Sequence, residues 1–106
     1  MKTKPENDTE LRAKINLETA RLPWLELERH FAQGTVVYVS EELDLIDVAV
    51  RISHDDKASI EAWMAAGKVG KVSDLQAATW TASGAQLWTS VVSPFILVQP
   101  EKKAVH

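Results

Sequence analysis

The sequence predicts an α+β domain, four to five helices packed on a small sheet of two to three strands. Three observations carry that expectation. The first is a C-terminal apolar run, Leu87-Trp88-Thr89-Ser90-Val91-Val92-Ser93-Pro94-Phe95-Ile96-Leu97-Val98-Gln99. Leaving such a run in water is costly, so it forms the central strand or strands of the core. The second is Thr35-Val36-Val37-Tyr38-Val39, which is short, β-branched and aromatic, and reads as a strand. The third is that helix caps and helical apolar spacing divide the remaining chain. Both strand segments are apolar at successive positions, not only alternate ones, which predicts a sheet covered on both faces.

Residues 1–7 read as a loose tail, residues 8–100 as one domain and residues 101–106 as a second tail. The first helix begins at the Asp8/Thr9 cap, where a short oxygen-bearing side chain accepts from unpaired first-turn amides. Leu11, Ile15 and Leu22 make its apolar stripe, with Ala13, Leu17 and Ala20 nearby. Pro23 opens a second helix, since its fixed φ and missing N–H suit the first turn. Trp24, Leu27 and Phe31 form the buried face of that helix, and Gly34 ends it. After the Val36 strand, Ser40 with Glu41 and Glu42 reads as a capped helix start.

Leu43 to Ser53 is ambiguous. Residues 46–53 alternate as a half-buried strand would. As a helix, the same segment places Asp44, Asp47, Arg51 and Asp55 on one narrow polar stripe, with Asp47–Arg51 and Arg51–Asp55 as i,i+4 pairs. The helix is preferred, because the Ser40 cap is strong and no turn residues separate the segment from the strand before it. Its narrow polar stripe makes it a central, nearly buried helix. Asp55 or Asp56 caps the next helix, which runs through Ile60, Trp63 and Met64 to Gly67. Lys68 to Val72 reads as a turn or short extended piece. Ser73 caps a helix from Asp74 to about Ala82, with Leu75, Ala78 and Trp80 inside and Ser83-Gly84 as its stop. Pro94 requires a bend, a bulge or an edge in the final strand region.

Composition narrows the function classes. The chain has 106 residues, 45% hydrophobic and 25% charged, which fits one folded domain. Its formal net charge of -3 disfavours non-specific binding to nucleic acid or an anionic membrane. With no cysteine there are no disulfides, thiolate chemistry or cysteine-based zinc sites. The N-terminal residues are polar, without the apolar core of a signal peptide, and no apolar stretch spans a bilayer. A cytosolic protein is the simplest reading.

Four places bear candidate chemistry. His54-Asp55-Asp56, with Asp44, Asp47 and Glu61, offers ligands suited to a divalent metal or small ligand. The structural reading, end-of-helix charge on His54 and caps at Asp55 and Asp56, is preferred. Glu26 and His30 are i,i+4 on one helix and could meet as an acid–base pair, but no nucleophile or metal partner adjoins them. Four tryptophans are many for this length. Trp24 and Trp63 sit at core spacing, whereas Trp80 and Trp88 flank the Ser83-Gly84 turn and suit an interaction patch with Phe95. From Ala58 to Val98 the order is compatible with a winged helix-turn-helix, yet Asp74 to Trp80 carries no basic side chain toward DNA. Gly67-Lys68-Val69-Gly70-Lys71 lacks phosphate-loop spacing.

Leu22-Pro23-Trp24, His30-Phe31-Ala32, Leu43-Asp44-Leu45-Ile46, Val48-Ala49, Asp55-Asp56, Trp63, Trp80 and the block from Val91 to Gln99 form a pattern. It resembles a family of small bacterial proteins, domain of unknown function 2288, from about Glu10 to Gln99, and the final block is its most specific part. The resemblance implies a stand-alone bacterial cytosolic protein and assigns no activity, cofactor or catalytic residue. The expected function is therefore a small non-enzymatic interaction or regulatory protein that self-associates or binds a protein partner through Trp80, Trp88 and Phe95. The alternative is a ligand- or metal-binding protein or minor enzyme using His30, His54, Asp55 and Asp56. Weak nucleic-acid binding through the C-terminal half stands third. No cofactor is expected.

Overall fold

The computed structural model describes residues 5–101, with side chains from Thr9 onward. The elements run α1 (Pro5–Glu18), β1 (Ala20–Pro23), α2 (Trp24–Ala32), β2 (Val36–Val39), α3 (Leu45–Ser53), α4 (Lys57–Ala65), β3 (Val69–Lys71), α5 (Asp74–Ser83), β4 (Gln86–Val92) and β5 (Phe95–Pro100). The strands form one sheet in the order β1-β4-β5-β2-β3. β2 and β5 run parallel, and the other pairs are antiparallel.

The α+β class stands, but the expected sheet of two to three strands is corrected to a mixed sheet of five. The long apolar run is two strands. A tight turn at Ser93-Pro94, where the peptide bond is cis, folds β5 back on β4 so that Val92 pairs with Phe95. Proline has no N–H to give to a ladder, so the strand cannot run through it. The second added strand comes from the end of the expected first helix. Helix α1 stops at Glu18, where the Thr19 hydroxyl donates to the Ile15 carbonyl at 2.7 Å and competes with further winding. Pro23 holds Leu22 extended, and Ala20–Pro23 pairs with β4 as an edge. The third is Val69–Lys71, read as a turn or short extended piece, which pairs with β2 as the opposite edge.

Helix α1 also starts earlier than expected, at Pro5 rather than the Asp8/Thr9 cap. The ambiguous segment is a helix, beginning at Leu45. Its cap is Asp44, whose carboxylate accepts from the amides of Ile46 (2.9 Å) and Asp47 (3.3 Å). Ser40 instead closes a turn, its hydroxyl accepting from the Glu42 amide at 3.1 Å.

Alternation along the strands builds two cores on opposite faces. On one face Val39, Val69 and Leu97 pack with Ile15 of α1 and with Leu45, Val48 and Ala49 of α3; Trp63 of α4 flanks them. On the other, Val36, Leu87 and Val98 pack with Trp24 and Leu27 of α2 and with Ala77 and Trp80 of α5. Trp24 is the hub of the second core: its ring meets Phe31 at 5.6 Å and Trp80 edge-on at 5.1 Å. The central strands are thus buried from both sides, as their continuous apolar character requires. Helices α4 and α5 lie on opposite faces with β3 between them, so they form no helix-turn-helix unit. Among the described residues no helix is long and apolar enough to cross a membrane.

Candidate functional site

His54-Asp55-Asp56 forms the joint between α3 and α4. The His54 amide closes α3 on the Val50 carbonyl at 3.0 Å, and Asp55 takes a positive φ of 55°. Asp56 caps α4, accepting from the Ser59 amide at 3.2 Å and the Ser59 hydroxyl at 2.9 Å. Those two bonds hold its carboxyl below its ordinary pKa, helped by the neighbouring Arg51 guanidinium at 3.3 Å. Arg51 thus reaches Asp56, not Asp55. It also approaches Asp47 at 3.8 Å, and Asp47 pairs with Arg12 of α1 at 2.6 Å. The result is a charge chain that ties α1, α3 and α4 together. Among the described residues no three His, Asp or Glu side chains are grouped to share a metal ion. Glu26 and His30 are joined by no hydrogen bond or ion pair; on the same helix Glu28 accepts from the Thr81 hydroxyl at 2.9 Å and links α2 to α5.

The aromatic candidates separate. Trp80 lies in the core against Trp24, 9% exposed. Trp88 and Phe95 are 39% and 41% exposed and point to the same face of the sheet, as their partners Gln99 and Val92 show. Four residues of strand, roughly 13 Å, separate Trp88 from Val92, so the two rings border different depressions.

Trp88 lines a cleft of about 660 Å3 with the end of α1 and the turn that leads into α3. Gln99, beside Trp88 in the ladder, donates from Nε2 to the carbonyls of Ser40 (2.9 Å) and Leu43 (2.7 Å). One amide group therefore pins the whole turn to the sheet. Held this way, Glu41, Glu42 and Asp44 rim the cleft with carboxylates. Glu42 is paired with Lys68 at 3.0 Å and Asp44 is engaged as a helix cap. Glu41 has no ion-pair partner among the described residues, so its charge faces solvent at the cleft. An indole face beside carboxylates suits a cation, which the ring quadrupole and the charges attract together. Neither Gln99 nor Glu41 stood out in the sequence: a glutamine ending a strand and an acid in a turn carry no motif, and only the long-range pairing of β5 with the turn joins them.

A family model described as "Protein of unknown function (DUF2288)" matches residues 10–100. The NMR solution structure of PA1075 from Pseudomonas aeruginosa is similar to this chain, with 33% sequence identity, full coverage of both chains and a TM-score of 0.78. No curated protein matches the sequence.

Proposed function

The chain belongs to the DUF2288 family, and within it we propose a small non-enzymatic binding protein that takes a basic segment of a protein partner into the Trp88 cleft. One observation carries this reading: a tryptophan 39% exposed on the wall of a cleft whose rim is acidic. Exposed indole is costly to keep in water, and tryptophan is enriched where partners bind. The acidic rim selects lysine or arginine as the inserted group and makes the association salt-sensitive. Trp80, buried against Trp24 in the core on the opposite face of the sheet, takes no part in this surface. A second copy of the chain is the alternative partner. The same reading places the protein in the cytosol of a bacterium, and its recovery from a membrane or periplasmic fraction would overturn that placement.

The test is capture of partners from the host by the tagged full chain and by Trp88→Ala, at low and high salt, with and without nuclease. A protein retained by the wild type, released by salt and lost by a folded Trp88→Ala supports the proposal. Recovery of the chain alone, or only of material that nuclease removes, sinks it.

A further inference from the structure

We propose that the hollow between α3, α4 and the β2–β3 edge of the sheet binds a small apolar carboxylate, an aliphatic or aromatic acid, with Lys71 as its counter-charge. This site is distinct from the Trp88 cleft and does not depend on that reading. Its volume is about 260 Å3 and its walls are Val37, Ile52, Ile60, Met64, Val69 and Phe95. A dry cavity of about 150 Å3 already holds benzene, and drug-sized pockets begin near 300 Å3. The hollow therefore fits a molecule larger than benzene and smaller than a typical drug. Met64 and Phe95 border it with 55% and 41% of their surface exposed, apolar area that a ligand would take from water.

Charge decides the class of ligand. No carboxylate lines the hollow. Lys71 pairs with Val37 in the β2–β3 ladder, so both side chains stand on the face that carries the hollow. Lys71 is exposed and has no ion-pair partner among the described residues. An apolar body that ends in a carboxylate uses both features, whereas an amine meets only repulsion there.

NMR titration of the isotope-labelled full chain with sodium octanoate, octan-1-ol and octylamine tests the proposal. Octanoate is expected to give saturable shifts at Val37, Ile60 and Val69, with affinity about tenfold above that of octanol, the worth of one charge-assisted contact. Lys71→Met keeps the unbranched apolar stem and is expected to bring octanoate down to the level of octanol while leaving octanol unchanged. Absence of saturable shifts at these residues overturns the site. Equal affinity for octanoate and octanol in the wild type, or tighter binding of octylamine, overturns the carboxylate class, and that comparison needs no variant.

Discussion

Asp56 shows how one carboxylate can serve a helix and record pH. It caps α4 through Ser59 and meets Arg51, and these contacts hold its pKa below the ordinary 3.8. A depressed pKa contributes stability that is fully present above the unfolded value. It is lost as pH falls through that value toward the lower folded one. Asp56→Asn keeps a capping oxygen but has no charge to lose. We expect it to be less stable than the wild type at neutral pH, with the difference closing below about pH 4 as the wild-type carboxyl protonates. Denaturant titrations at several pH values would measure this, and a constant difference down to pH 2 would count against it. The sequence made Asp55 and Asp56 legible as cap candidates because a cap is a local device. Arg51's choice of Asp56 over Asp55 was not legible, since Asp55 takes a positive φ and the chain turns between the two residues. Nor did the sequence sort Trp80 from Trp88. Trp80 lies on the helix face that meets Trp24, an element distant in the chain.

Helices with local stop and start signals were the readable elements. Helix α5 is the clearest: Ser73 accepts from the Gln76 amide at 3.0 Å while the Gln76 side chain accepts from the Ser73 amide at 2.9 Å, and Gly84 closes the helix at φ 64°. This reciprocal pair satisfies two first-turn donors. Ser73→Ala is expected to cost about 1 kcal/mol, and Ser73→Asp to restore most of it. Thermal unfolding of the two variants would check both, and equal stability of Ser73→Ala and the wild type would show the cap to be dispensable. Strands β1 and β3 were hard to read for the opposite reason. Four and three residues long, they owe their extended pairing to β4 and β2, distant in sequence, and to little within their own residues. The β4–β5 hairpin was half legible: Pro94 announced an interruption, and the antiparallel return followed only from pairing.

At the scale of the molecule, the sheet is the wall that two cores share. Val36 and Val98 belong to the core under α2 and α5, while Val39 and Leu97 belong to the core under α1 and α3. Successive residues of the same two central strands thus serve opposite layers. Losing packing on one face frees the strand that supports the other, so the two cores should unfold as a unit. Leu97→Ala removes a side chain with no exposure at the centre of the first core. It is expected to cost about 2–5 kcal/mol, a large share of the 5–15 kcal/mol that holds a typical domain. If the wall is shared, the loss spreads. Amide exchange of Leu27 and Trp80, on the far side of the sheet, should accelerate by the same factor as that of Val48 and Ala49 on the near side. Acceleration confined to α1 and α3 would mean that the faces melt separately, with the sheet as a rigid partition between them.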